Sequence, residues 1–248
     1  MKRLAPLFLL LAFLAPVARA ADPMAADRAA AAPAAAPAAQ AAQAAPKGMH
    51  FIYLVRHGMY DRDDKVDDRV GNGLNALGRD QARLTGERLA ALPVRFDRLV
   101  SSTLLRAMNT ADLMAVPMKM NVVRDSLLSE CTPTSSRADY MANHTPEEIA
   151  ECDAQVTAAF ARYFVPTPAA DTRTVLVCHG NVIRVLLARA LGMDPKEWAR
   201  FDAGNGGVTV VQVPATGAIR LAVLNDVSHI PLSQQTFSGR GGGWSAPK

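Results

Sequence analysis

The sequence predicts an α/β fold, a three-layer sandwich in which helices flank a mostly parallel central sheet. Three observations lead there. Two continuous apolar runs, Phe51-Ile52-Tyr53-Leu54-Val55 and Val175-Leu176-Val177-Cys178, read as strands covered on both faces. Segments with helical spacing of apolar residues lie between and after them. Strand and helix patterns alternate over residues 49–237, which implies layers around one sheet, and no internal repeat is visible.

Two segments precede that domain. Residues 1–20 carry Lys2 and Arg3, an apolar run from Leu4 to Val17, and Ala18-Arg19-Ala20 at the end. This is the grammar of a cleaved signal peptide, so a periplasmic or secreted protein is expected. Fourteen mostly apolar residues, interrupted by Pro6 and ending at Pro16, fall short of the roughly 20 that span a bilayer, so no stable membrane insertion is expected after cleavage. Residues 21–48 hold sixteen alanines and four prolines with no amphipathic face, and read as a linker. The glycine-rich residues 238–248 read as a flexible tail.

Inside the domain, the Phe51 strand comes first. Asn75 caps a helix over 76–92 with Leu77, Leu84, Leu89 and Leu92 on its apolar side. Leu99-Val100 is a short strand, followed by a helix over 103–114. Thr145-Pro146-Glu147-Glu148 combines a capping box with proline at the first helical position, opening a helix to about residue 164. The Val175 strand leads into a helix after Asn181 that ends near Leu191-Gly192. Asp194-Pro195 opens a shorter one. Residues 208–213 and 219–224, parted by Pro-Ala-Thr-Gly, form a terminal hairpin.

Composition excludes several functions. Half of the 248 residues are apolar and 20% are charged, a globular balance. Aromatics at 6% are too few for a stacking platform that reads nucleic acid. The formal charge of +4 shrinks to about +1 once Lys2, Arg3 and Arg19 leave with the leader, so net charge makes no case for a nucleic-acid partner. Three cysteines are too sparse for a disulfide scaffold, and no CxxC or CxxH spacing marks a zinc site. Cys178 reads as a core residue. A Cys131–Cys152 bridge is open to the chain, with no sequence warrant beyond the compartment.

The two strong strands each end in histidine and glycine: Arg56-His57-Gly58 and His179-Gly180-Asn181. Ligands of open α/β sheets sit beyond the carboxyl ends of the strands. The Leu99 strand ends in Ser101-Ser102, with Arg106 one turn into the following helix. Two imidazoles and two guanidiniums at one end of a sheet make an oxyanion clamp, and phosphate is the natural guest.

Five ordered motifs then carry a resemblance: Leu54-Val55-Arg56-His57-Gly58; Leu74-Asn75-Ala76-Leu77-Gly78-Arg79-Asp80-Gln81-Ala82; Ser101-Ser102 with Arg106-Ala107 and Thr110-Ala111; Leu127-Leu128-Ser129-Glu130; and Cys178-His179-Gly180-Asn181-Val182-Ile183-Arg184. Over residues 50–228 the chain resembles the histidine phosphatase superfamily, the group that includes cofactor-dependent phosphoglycerate mutases. It looks most like the mitochondrial branch that acts on phosphoserine and phosphothreonine, through the short Glu130 segment, the His179 run and Asn205-Gly206-Gly207. That branch has Ser after its Arg-His, where this chain has Gly58, and residues 21–48 do not reproduce its oligomerisation segment.

The resemblance implies that His57 takes the phosphoryl group and that Arg56, Arg106 and His179 hold its oxygens. Glu130 would protonate the leaving alkoxide and then activate water. The other His57 nitrogen needs an orienting acceptor, for which a backbone carbonyl of the Gly58 region is a candidate. Gly58 is also a candidate backbone contact to substrate, and Asn181 either bonds phosphate or caps the helix it begins. A phosphorylated substrate is the expected partner, and neither metal nor cofactor is expected. His144 reads as a residue of a polar loop, His50 as the residue preceding the first strand, His229 as a residue of a late loop near the pocket, and residues 61–69 as a solvated loop beside the entrance. The alternatives are a phosphoglycerate mutase, whose basic insert after Glu130 is missing; a phytase-like phosphatase, whose Arg-His-Gly-x-Arg-x-Pro start is missing; and a scaffold without turnover.

Overall fold

The computed structural model describes residues 48–237 apart from 168 and 217. The leader, most of the linker and the tail read from the sequence lie outside the described residues. The linker gives way to the fold one residue early. Gly48 is buried, and a Cβ there would sit 2.0 Å from the Thr167 carbonyl oxygen.

Strands β1 (Met49–Arg56), β2 (Arg98–Ser101), β3 (Val122–Arg124), β4 (Thr172–Cys178), β5 (Val208–Pro214) and β6 (Arg220–Asp226) form one sheet in the order β3-β2-β4-β1-β5-β6. Strands β3, β2, β4 and β1 run parallel, while β5 and β6 add an antiparallel edge. The side-chain alternation of β1 divides the core between the two faces. Ile52 and Leu54 pack with Leu176 and with Val182, Ile183 and Leu186 of helix α5 (Gly180–Ala190), and with Ala159 of helix α4 (Pro146–Tyr163). Tyr53 and Val55 face the other way, against Leu89 of α1 (Ala76–Ala90) and Ala107, Ala111 and Met114 of α2 (Leu105–Met118). Helices therefore cover both faces, as the apolar runs require. Among the described residues no helix is long and apolar enough to cross a membrane.

The local signals explain the element ends. The Asn75 side chain accepts the Gly78 amide at 2.9 Å, and Thr145 with Glu148 forms the reciprocal capping box ahead of Pro146. Helix α2 runs one turn further than the sequence reading. Pro117 falls in its last turn, and Lys119 at φ 53° ends it. Strand β3 and the single turn α3 (Ala138–Met141) escape the sequence reading because three or four partly exposed residues show no periodicity.

Two glycines let the loop after β1 lie on the first turn of α1. A Cβ on Gly58 would be 2.2 Å from the Gly78 carbonyl oxygen, and one on Gly78 would be 1.9 Å from that of Met59. Backbone meets backbone there, so neither side can yield cheaply. Gly78→Ala is expected to lower stability by about 1–3 kcal/mol in urea denaturation; unchanged stability would contradict this close approach.

Candidate active site

Because β1, β2 and β4 are parallel, their carboxyl ends lie at one edge of the sheet, where Arg56, Ser101 and Cys178 end the strands. The chain beyond them supplies His57, Ser102 and His179. The His57 amide donates to the Cys178 carbonyl at 3.0 Å, which ties the two strand exits together. The imidazoles of His57 and His179 lie with ring centroids 5.0 Å apart.

Every hydrogen-bonding position on the His57 ring is set. Nδ1 is 2.7 Å from the Gly58 carbonyl oxygen, which can only accept, so Nδ1 carries the proton. The lone pair on Nε2 then accepts from Arg106 Nε–H at 3.2 Å. Asn205 Nδ2 donates to the His57 carbonyl oxygen at 2.9 Å, and the Tyr60 ring meets the imidazole edge-on. Burial, reinforced by the charges of Arg56 and Arg106, holds the His57 pKa well below the usual 6.5. The result is a neutral imidazole with one basic nitrogen beside a guanidinium.

The cations are buried with it. Arg56 Nη1 donates to the Ala203 carbonyl at 2.6 Å, while its Nε is sealed from solvent with no hydrogen-bond partner. Burial, with the nearby Arg184 charge, brings the Arg56 pKa down to about 10, against the pull of Glu130. The Arg106 guanidinium lies over the Tyr60 ring, 4.9 Å from its centroid. His179 is fully buried. Its pKa is pushed well down by desolvation and then by His57, Arg106 and Arg56.

Glu130 closes the group. The residue as a whole is only half-buried, yet its Oε1 is shut off from solvent and unpartnered. Burial raises its pKa above the usual 4.5, opposed by Arg106, Arg56, Arg184 and the Asn181 amide. Its segment is fastened to the neighbouring helices. Gln155 Nε2 donates to the Ser129 carbonyl at 2.7 Å, and a disulfide joins Cys131 to Cys152 of α4. Arg106 and Glu130 line a cleft of about 480 Å³ that opens past Tyr60, Asn72, Glu148 and Glu151. A larger hollow of about 720 Å³ lies beside the amino ends of β2 and β3 and holds none of these groups.

Five residues singled out in the sequence thus lie together: Arg56, His57, Arg106, Glu130 and His179. Two are placed otherwise. The Gly58 amide donates to Thr110 Oγ1 at 3.0 Å and so is not free for substrate, while its carbonyl orients the His57 ring as expected. Asn181 lies inside α5, where His179 holds the cap position, and its side chain donates to the Cys131 carbonyl and Thr132 Oγ1 at 3.3 and 3.4 Å. It braces the Glu130 segment and does not cap the helix. His144 borders the cleft beside Glu148, and His229 pairs with Thr85 Oγ1 at 3.0 Å. Thr110, Ser102, Asn205 and Tyr60 received no role from the sequence. Thr110 could have been found, since it lies one helical turn beyond Arg106 and its hydroxyl donates to the Arg106 carbonyl. Among the described residues no group of three or more His, Cys, Asp or Glu side chains is placed to hold a metal ion.

The histidine phosphatase superfamily (branch 1) family model matches residues 52–134 and 132–227. The chain belongs to the histidine phosphatase superfamily. The mitochondrial serine/threonine-protein phosphatase PGAM5 of Xenopus laevis is 34% identical over 194 residues, covering 75% of this chain and 68% of that protein. Its human counterpart is 35% identical over 201 residues, covering 77% and 68%. Among solved structures, a phosphoglycerate mutase from Plasmodium falciparum is 25% identical with a TM-score of 0.53, covering 74% of this chain and 95% of that one. A mycobacterial glucosyl-3-phosphoglycerate phosphatase at 23% identity and a TM-score of 0.53 shares the fold, covering 71% and 99%. The chain is therefore a phosphatase of this superfamily, with the mixed, mostly parallel sheet of its structural neighbours. The expectation of a periplasmic or secreted protein is corrected: these curated relatives are mitochondrial. A basic start and a short apolar run are compositional features that do not name the membrane they address.

The two buried histidines of the site contribute a pH dependence of stability. Both have folded pKa values below 6.5, so below that pH the unfolded chain takes up protons that the folded chain refuses. Their contribution is complete above 6.5 and is lost on acidification toward the folded values, at up to about 1.4 kcal/mol per pH unit for each. Glu130, with a raised pKa, works in the opposite sense, but it is one group against four, since burial also lowers the pKa values of His50 and His229. Denaturant titrations at pH 7.5 and pH 5.5 should show a smaller loss in a His57→Gln/His179→Gln double variant than in the parent; equal losses would contradict the burial of neutral imidazoles.

Proposed function

We propose that this phosphatase hydrolyses phosphoserine and phosphothreonine esters on proteins through a phosphohistidine at His57. The observation that carries the proposal is the state of the His57 ring, neutral, oriented by the Gly58 carbonyl, and with Nε2 facing Arg106. An incoming phosphate draws Arg106 onto its oxygens and frees the lone pair. Nε2 attacks phosphorus as the ester P–O bond breaks in line. Glu130, whose pKa burial raises, gives its proton to the departing alkoxide. Water then gives a proton to the Glu130 carboxylate as its oxygen attacks phosphorus, and the P–N bond breaks. Phosphate leaves, and His57 and Glu130 return to their starting states. Arg56, Arg106 and His179 surround the equatorial oxygens, where fixed donors in a dry site act strongly on developing charge.

Two observations support a protein substrate. The PGAM5 relatives are named serine/threonine-protein phosphatases. Outside the cationic floor, the cleft carries Asp68, Glu148 and Glu151, and its one outer guanidinium, Arg62, is paired with Asp64. A phosphoglycerate, with a carboxylate beside its phosphate, meets like charge there; an uncharged serine or threonine stem does not.

The test uses the full chain with an aryl phosphate in EDTA, beside His57→Ala. Phosphate release that resists the chelator and falls about a thousandfold or more in the variant is expected; equal release in both would reject the assigned nucleophile. Phosphopeptides should then show a higher kcat/KM than 2- or 3-phosphoglycerate. Interconversion of the two glycerates faster than their hydrolysis would establish the mutase reading instead, and no turnover of any substrate the scaffold reading.

A further inference from the structure

His57 and His179 are both buried and neutral, yet phosphoryl transfer asks opposite things of them. His57 must present a lone pair, whereas His179 must present an N–H to an oxyanion. A neutral imidazole has one proton, so the partner of its far nitrogen decides which it offers. For His57 that partner is a carbonyl. For His179 it is the hydroxyl of Ser102, 2.8 Å from Nε2.

Ser102 follows β2 directly and is fully buried. Its Oγ accepts the Leu104 amide at 3.1 Å, which fixes the hydroxyl in place and occupies one lone pair. Two neighbours compete for its single proton, His179 Nε2 at 2.8 Å and Ser129 Oγ at 3.4 Å. The nearer one is also the stronger base. Ser129 has a partner of its own in Thr103 Oγ1 at 3.0 Å. On the other side of the ring, His179 Nδ1 is sealed from solvent and has no hydrogen-bond partner. A buried orphan of this kind is costly unless something completes it.

We propose that Ser102 is a positioning residue that donates its hydroxyl proton to His179 Nε2, fixing the Nδ1–H tautomer and aiming that N–H at the phosphoryl oxygens. The inference rests on the phosphoryl-transfer reading above for its consequence, though not for its geometry. The two histidines then share a tautomer and use opposite edges of it. At His57 the protonated Nδ1 is turned into the protein and Nε2 reacts. At His179 the bare Nε2 is turned into the protein and Nδ1–H binds. Without the Ser102 hydroxyl, nothing at Nε2 disfavours a proton there, and the other tautomer would turn a lone pair toward the oxyanion.

The experiment is nitrogen-15 NMR of the histidine-labelled protein, with the His179 ring assigned by its loss in His179→Gln. In the parent, Nδ1 is expected to show the shift of a protonated nitrogen and Nε2 that of a bare one. Ser102→Ala should mix or reverse this pattern. Its kcat on an aryl phosphate should fall about tenfold to a hundredfold, with KM much less affected, as for the loss of a transition-state donor. A protonated Nε2 in the parent overturns the proposal, as does a Ser102→Ala variant that keeps the parent kcat. The parent spectrum decides the matter even where the variant fails to fold. It also separates the two readings, since an inactive parent with Nδ1 protonated would sink the proposed function and leave the hydrogen bond standing.

Discussion

A carbonyl oxygen accepts the proton side of His57 at 2.7 Å while a guanidinium N–H covers its basic side at 3.2 Å. The rest of the site depends on this clamp. An imidazole free to rotate or to take a second proton is no nucleophile, and three structural features serve to prevent both. Burial excludes the charged form. The Met59 amide of the peptide that orients the ring donates to Gln81 Oε1, while Thr110 and Asn205 hold the preceding His57–Gly58 peptide, so neither can turn. The back-to-back approach of Gly58 and Gly78 seats that peptide on α1. Backbone geometry, set by two missing side chains, thereby becomes the chemical state of a ring.

Burying the cations carries an electrostatic penalty that an anion relieves. Arg56 keeps one sealed nitrogen without a partner, and Arg106 spends a donor on a neutral ring. A group of guanidiniums with so few counter-charges is under-satisfied by itself, and a bound dianion would complete it. Glu130 is the exception that makes turnover workable. As a carboxyl among these cations, it would be ionised by their field in water, but desolvation outweighs that pull and raises its pKa. Gln155, Asn181 and the disulfide to Cys152 keep it in this conflict of forces and out of solvent.

The architecture was legible in the sequence because burial on both faces leaves an unbroken apolar run, and β1 and β4 are such runs. Parallel strands then placed His57, His179 and Arg106 at one edge without any long-range inference. Strand β3 was not legible, since three residues at an edge, with Val123 half exposed, carry no pattern. The Gly58 carbonyl was legible as the partner of the His57 ring, but a sequence says which groups are near an anion and not which donors are already taken. The Gly58 amide is taken by a threonine 52 residues away and the Asn181 amide group by a loop 50 residues away. The localisation was read from residues 1–20 alone, and the mitochondrial location of the curated relatives overturns it.

The central claim, a covalent phosphoryl group on His57, is tested most directly by rapid-quench trapping in Glu130→Gln. An aryl phosphate has a leaving group that needs no proton, so the first step should proceed while hydrolysis, deprived of its base, stalls. The account predicts a burst of one phenolate per site. An alkali-stable, acid-labile phosphoryl group should map to the peptide that contains His57. Turnover without such a species, or its appearance on any other residue, would contradict the mechanism.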